Sequence, residues 1–340
     1  MKAAVSMAIG KIEIQEIPRP VPDEGEALVR VDYCGICGSD LHGFQRGDPF
    51  APFPHVFGHE GSGVVEEING TSPDISVGDR VVYETTKRCG KCKACIENRD
   101  GDCQDVKLIG GHLPGSFAEY VTIPLDLLYR VPDGLSQETA AVCEPYTISA
   151  RGCAKAGVGP GDTVLVLGAG TIALCAIDVV IARGAKVIIA ARNTKRLSRA
   201  LRFCPDAIID TSRENLRERL AQLTDGNGCS VILECTGARE IIESTVELAC
   251  RATRIVMIGM CAENISISPF DIINKELKIY GTQNSYGQFP WVLEQLKAGN
   301  FHYNELVTAI YDCANIQQAF EYAIKNAGSC GKILVRFNRA

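Results

Sequence analysis

Four cysteines carry the most specific chemistry in this sequence. Cys89, Cys92 and Cys95 are spaced two residues apart, and Cys103 follows after seven more. Four thiolates this close in a loop can close a tetrahedron around zinc. A closed four-thiolate shell leaves no position for another molecule, so the expected role is structural. Arg88, Lys91 and Lys93 are interleaved with the cysteines, and their charges are expected to ease thiolate formation. Two local disulfides are the competing reading, and they need an oxidising compartment.

A second set of candidate ligands is scattered. Cys37 lies in the run C-G-I-C-G-S-D-L-H at 34–42, His59 and Glu60 lie in G-H-E-G at 58–61, and Glu144 lies in C-E-P at 143–145. One thiolate, one imidazole and one or two carboxylates could share a zinc ion and leave a position for water or a substrate oxygen. Spacing alone leaves this open, because a lone His or Cys is more often a core residue.

The third feature is G-A-G-T-I-A at 168–173. It follows an apolar run, Thr163–Leu167, and opens a helical stretch, Ile172–Arg183, so it has the context of a dinucleotide-binding turn. In that form Gly168 permits the tight turn, Gly170 lets the backbone approach a pyrophosphate, and Ala173 is small enough for helix–strand packing. Thr171 and Ile172 begin the helix whose free N–H groups would face the phosphates. The next strand ends at A-A-R-N, 190–193. An NAD site usually carries an acid there for the ribose hydroxyls. Ala191 stands at that position, followed by Arg192 and Asn193, with Lys195 and Arg196 one turn on. An arginine there can pair with a 2′-phosphate, so NADP is expected in preference to NAD. The alternative is that Arg192 and Arg196 are solvated charges at a helix start.

Two kinds of sequence must position these groups. Up to about residue 148 the chain is strand-rich, with short runs at Ala27–Val31, Gly63–Glu67, Arg80–Tyr83 and Phe117–Ile123 between Gly, Pro and Asp turns. From about 149 to 285, apolar strands alternate with helices: Thr163–Leu167, Lys186–Ala190, Ala207–Ile209, Ser230–Glu234 and Arg254–Ile258 are the strands. That alternation predicts a doubly wound parallel sheet. The segment 286–340 adds helices at Phe289–Ala298 and Ile316–Asn326 and a closing strand at Lys332–Phe337, and is expected to rejoin the first domain.

The bulk composition fits an ordinary globular chain of two domains. It has 340 residues, 46% hydrophobic and 22% charged, with a formal net charge of -6. An acidic balance gives no reason to expect nucleic acid as a partner, and no apolar run is long enough to span a bilayer. The N-terminal residues lack the pattern of a secretory signal, so a cytoplasmic location is expected. There are 16 cysteines. Those standing singly in apolar runs, such as Cys153, Cys175, Cys235, Cys250 and Cys261, are expected to be small buried hydrophobes.

Taken in order, C-G-I-C-G-S-D-L-H, G-H-E-G-S-G, G-D-R-V, the cysteine cluster and the glycine turn resemble the zinc-containing medium-chain dehydrogenase/reductase family. The resemblance covers essentially the whole chain, and Glu144-Pro145 is similar to the sorbitol (polyol) dehydrogenase branch. It implies an α/β protein with a GroES-like β-rich catalytic domain and a Rossmann domain, two zinc ions per chain and a nicotinamide cofactor. It implies that Cys37 and His59 ligate the catalytic zinc, that Glu60 is a direct or exchangeable ligand, and that Glu144 ligates directly or through water. Ser39 would touch the substrate oxygen, Asp40 would orient a ligand histidine, and His42 would pass the proton on. Cys34 would be core.

The implied reaction is reversible oxidation of a secondary alcohol of a polyol or sugar-derived substrate. Gln283 and Asn284 stand where many polyol-type relatives carry an arginine, which counts against sorbitol itself. A threonine- or butanediol-type dehydrogenase would share the same metal and cofactor sites. A non-catalytic zinc- and dinucleotide-binding sensor would have no use for an open metal position. Relatives form dimers or tetramers, so a homo-oligomer is expected.

Overall fold

The computed structural model describes residues 1–99 and 101–338. They form two compact units. The first contains Met1–Glu144, Asn284–Ala298 and Val307–Ala340, and the second contains Pro145–Gln283 and Gly299–Leu306.

The first unit is built on a seven-stranded sheet. Its central strand, Glu26–Gly35, pairs along its whole length with Glu60–Asn69. On its other edge it pairs first with Tyr120–Pro124 and then, at Tyr33–Gly35, with Lys332–Arg336. The strands Arg80–Tyr83 and Leu128–Arg130 extend one side of the sheet, and Val307–Asp312 extends the other. The strand Glu26–Gly35 is buried along nearly its whole length, and Val29, Val31 and Cys34 are completely covered. They pack with Phe44, Phe57, Phe117 and Phe320 in one apolar cluster. The expected strand over Phe117–Ile123 begins only at Tyr120. Before that point Ala118 makes only an isolated bridge to Ala3, and the Phe117 carbonyl accepts from the Ala4 N–H at 2.7 Å.

The second unit holds a six-stranded, all-parallel sheet. Its strand order is Ala207–Asp210, Lys186–Ala191, Thr163–Leu167, Val231–Glu234, Arg254–Met257, Lys278–Gly281. The order reverses direction between Thr163–Leu167 and Val231–Glu234, which is the switch point where such sheets take ligands. The helix Thr171–Ala182 is almost wholly buried because both its faces are apolar. Asn193 caps the helix Thr194–Ala200, and Asn215 caps Leu216–Leu223 by accepting from the Glu218 N–H at 3.2 Å.

Gly299–Leu306 packs with the dinucleotide-type unit, whereas the sequence placed it with the first domain. A buried acid accounts for this. Asp178, on the helix Thr171–Ala182, is 1% exposed. It accepts from the Tyr146 hydroxyl at 2.7 Å and from the His302 backbone N–H at 2.7 Å, and its other oxygen lies 2.7 Å from His302 Nδ1. Tyr146 also stacks on Phe301, with centroids 4.4 Å apart. Cys153 and Cys175 are fully buried, as expected. Cys235, Cys250 and Cys261 are only partly buried, a correction to the sequence reading. Among the described residues no helix is long and apolar enough to cross a membrane.

Asp178→Ala leaves the buried Tyr146 hydroxyl and the His302 backbone N–H without their acceptor. It is expected to cost about 2–4 kcal/mol, since each stranded buried group carries a penalty of about 1–3 kcal/mol. Urea unfolding of the two proteins measures the difference, and equal midpoints would remove Asp178 as the tie.

Candidate functional site

Cys89, Cys92, Cys95 and Cys103 converge, with one sulfur of each lying within 4.8 Å of the others. Cys89 Sγ and Cys95 Sγ are 3.9 Å apart, and Cys92 Sγ and Cys95 Sγ are 3.5 Å apart. A zinc–sulfur distance of about 2.3 Å gives a tetrahedron with edges of about 3.8 Å, so the cluster has the right size. Cys92 caps the short helix Lys93–Ile96. The Cys89 N–H points at Cys103 Sγ and the Cys92 N–H at Cys89 Sγ, each at 3.4 Å. N–H groups of Cys95 and Gln104 pull the Cys92 thiol down to about 6. At Cys92 the favourable electrostatics therefore come from the backbone, whereas burial and the neighbouring thiols push Cys95 up to about 12. Two of the basic residues expected to supply them face acids instead, with Lys93 3.7 Å from Glu97 and Arg88 3.8 Å from Asp126. All four cysteines are free thiols, which removes the local-disulfide alternative.

The second cluster joins Cys37, His59 and Glu60, again with one ligand atom of each within 4.8 Å. Three backbone elements deliver them. Cys37 is the residue before the helix Gly38–Arg46, where the chain leaves the strand Glu26–Gly35. His59 and Glu60 sit where the chain enters the strand Glu60–Asn69, with Glu60 directly opposite Gly35. Asp40, 2% exposed, braces both parts. It accepts from the Cys37 N–H at 2.9 Å and the Gly58 N–H at 3.3 Å, and its carboxylate lies 3.5 Å from His59 Nδ1. That contact fixes the imidazole and leaves Nε2 as the other ring nitrogen. Burial opposes charge on His59, but Asp40 and Cys37 more than offset it, so its pKa stands well above the ordinary value. Binding an ion through this ring has to displace a proton.

Glu144 stands outside this set of mutually close ligand atoms. It lies in the first turn of the helix Cys143–Ala156 and is 8% exposed. Burial pushes its carboxyl up to about 7; His59 pulls against that shift and Glu60 adds to it. Its neighbour Cys143 is completely buried, and Cys34 is likewise core. Ser39 and His42 are exposed on the helix Gly38–Arg46, three residues apart and so on one face.

One functional residue has no signature in the sequence. Lys332, only 3% exposed, places its ammonium 2.5 Å from Glu60 Oε1 and donates to the Ile36 carbonyl at 3.0 Å. The two side chains meet across Gly35, where a Cβ would collide with the Glu60 carboxylate. Burial works against charge on Lys332, and Glu60 and Cys37 more than make up the loss, so its pKa rises. The other carboxylate oxygen, Glu60 Oε2, is buried with no hydrogen-bond partner. An orphaned anionic oxygen beside a thiol and an imidazole is the donor set a divalent cation completes.

In the second unit, Gly168 has φ +111°, a backbone conformation that favours glycine. Gly170 is the residue before the helix Thr171–Ala182, so that helix presents its free N–H groups at the turn. The guanidinium of Arg196 lies 3.9 Å from where a Cβ on Gly170 would sit. Arg192 is exposed just past the end of the strand Lys186–Ala191. Asn193 accepts from the Arg196 N–H at 3.1 Å. Sequence reasoning missed an acid beside this position. Asp210 is the register partner of Ala191 on the neighbouring strand, and its carboxylate is bonded by Ser212 and by Thr194 at 3.3 Å.

Comparison with known proteins agrees with this geometry. Residues 23–133 match the alcohol dehydrogenase GroES-like domain, and residues 171–298 match the zinc-binding dehydrogenase domain. The sorbitol dehydrogenase of Halalkalibacterium halodurans is 34% identical, covering 98% of this chain and 99% of the relative. A crystal structure of an Escherichia coli alcohol dehydrogenase, rspB, in complex with NADH is 30% identical over 99% of each chain, with a TM-score of 0.93. That of 2R,3R-butanediol dehydrogenase from Bacillus subtilis is 29% identical over 99% of each chain, with a TM-score of 0.90. The class defined by fold and site is that of zinc- and nicotinamide-dependent oxidoreductases. The chain belongs to the zinc-containing medium-chain dehydrogenase family, in its sorbitol dehydrogenase-like branch.

Lys332→Met leaves the Glu60 carboxylate buried and unpaired. Breaking such a pair costs about 3–5 kcal/mol, so the midpoint of thermal unfolding, measured on metal-stripped protein, is expected to fall by several degrees. An unchanged midpoint would mean that Lys332 carries no such burden.

Proposed function

We propose that this chain interconverts a secondary alcohol of a polyol or sugar-derived substrate with the ketone, using zinc and a nicotinamide cofactor. The observation that supports it most is the open donor set of Cys37, His59 and Glu60, beside two exposed proton-bearing groups, Ser39 and His42. In this reading Cys37, His59 and Glu60 hold the catalytic zinc. Glu144, outside their cluster, joins through a water molecule. Cys89, Cys92, Cys95 and Cys103 hold a structural zinc. Zinc supplies Lewis acidity that brings an alcohol's pKa toward neutrality, and the nicotinamide supplies the hydride acceptor.

The residues of the chain do the rest. Asp40 holds the His59 ring and the Cys37 backbone in place. Ser39 takes the substrate proton through its hydroxyl, and His42, one turn on, relays it to solvent. The turn at Gly168 and Gly170, with the N–H groups of Thr171 and Ile172, binds the cofactor's pyrophosphate. Arg192 and Arg196, with Asn193 shaping the turn and no acid at Ala191, favour NADP over NAD. Asp210 is the residue that could work against that preference.

Gln283 and Asn284 leave the substrate open between polyols, aldonates and short diols; a panel with both cofactors, followed by nicotinamide absorbance, tests the assignment. No turnover on any secondary alcohol, or fewer than two zincs per chain, would overturn it. Cys37→Ala should keep the fold, lose one zinc and lose activity by about a thousandfold or more. Cys92→Ala should lose the other zinc and lower stability. For the cofactor, Arg192→Ala with Arg196→Ala is expected to cut catalytic efficiency with NADP by about tenfold or more and to leave NAD nearly unaffected. Better efficiency with NAD in the parent protein would refute the preference.

A further inference from the structure

Glu234 is the last residue of the strand Val231–Glu234 and is 0% exposed. Among the described residues it has no basic partner; every bond its side chain makes is one it accepts. Oε1 receives the Thr236 N–H at 2.6 Å and the Thr236 hydroxyl, and the Gly237 N–H lies 3.2 Å from both oxygens. That is the pattern of an ionised carboxylate. Its own backbone carbonyl accepts from the N–H groups of Ile258 and Gly259, which follow the next strand. Thr236 in turn reaches the dinucleotide turn, with its methyl 3.0 Å from where a Cβ on Gly168 would sit. The carboxylate thus holds the loop at Thr236–Gly237, which lies between the loops that follow the two neighbouring strands of the parallel sheet.

A buried anion without a cation is costly, and such groups concentrate at functional sites. The place of this one says what it could serve. The sheet binds its ligand outside the carboxyl ends of the strands, at the switch point, with one mononucleotide on each half. Ala191, Arg192 and Asn193 lie on the half that follows Lys186–Ala191, the side of the adenosine ribose. Glu234 lies on the opposite half, the side of the nicotinamide. The oxidised nicotinamide ring is a cation, and the reduced ring is neutral. A fixed anion held among backbone donors, in a poorly screened place, favours the cation.

We propose that Glu234 is a positioning residue that sets the loops around the nicotinamide half of the cofactor site, and that its fixed charge biases the protein toward the oxidised cofactor. The inference rests on the reading of Gly168–Ile172 as the dinucleotide turn. It goes beyond that reading by naming the oxidation state that this charge favours and the residue that carries it.

The experiment compares Kd values for the oxidised and reduced forms of whichever cofactor binds more tightly. Calorimetry serves for the oxidised form and nicotinamide fluorescence for the reduced form, on zinc-loaded protein without substrate. Glu234→Gln removes the charge and keeps an oxygen for the two short Thr236 bonds. It is expected to weaken the oxidised form about threefold to tenfold relative to the reduced form. Glu234→Asp keeps the charge with a shorter reach, so the ratio of the two Kd values should stay at the parent value while both affinities fall. Equal weakening of both forms in Glu234→Gln, no weakening of either, or a ratio in Glu234→Asp that shifts as much as in Glu234→Gln would each overturn the proposal. If Glu234→Gln is not recovered folded, Glu234→Met removes the same charge, and the change in its ratio decides. Failure of the underlying reading looks different, because then the parent protein binds neither form.

Discussion

The structure depends on assembling negative charge where there is little water. Glu60, Asp40 and Glu144 are all less than a tenth exposed, and the Cys37 thiol shares their site. In such a place each anion must find a cation or a set of donors. Asp40 finds backbone N–H groups and His59. Glu60 finds Lys332 on one oxygen and nothing on the other. Glu144 has its carboxyl driven toward the neutral form. Together Cys37, His59 and Glu60 form a donor set that could hold a metal ion. The pairing of strand Glu26–Gly35 with Glu60–Asn69 and Lys332–Arg336 keeps these groups from moving apart.

Much of this was legible in the residues themselves, and the division has a physical basis. The cysteine cluster could be read from spacing because its ligands lie in one loop, where chain geometry limits how far apart they can go. The dinucleotide turn could be read because strand, glycines and helix are consecutive. The parallel sheet followed from continuous apolar runs, which only a strand buried on both faces requires. The open site was legible only through resemblance, since Cys37, His59 and Glu60 come from separate elements.

Lys332 and the tie of Asp178 to His302 escaped because each depends on contact between distant segments. Lys332 and Glu60 are 272 residues apart, and Asp178 and His302 are 124 apart. No periodicity records such a meeting. The source of the thiolates' electrostatics was missed for another reason. Lysine and arginine letters suggest charge, but the backbone N–H groups that point at the sulfurs have no letters of their own. Asp210 was missed because adjacency in a parallel sheet, unlike adjacency in sequence, appears only once the register is known.

The pairing of Glu60 with Lys332 also bears on the order in which the molecule can be completed as it is made. The four sulfurs all emerge within residues 89–103, so a growing chain can gather them by closing short loops, at small entropic cost. The other centre has its donors by residue 60, yet the ammonium that balances them arrives only with the closing strand. The sulfur cluster is local in the chain, whereas the charge balance at Glu60 waits on a contact 272 residues away.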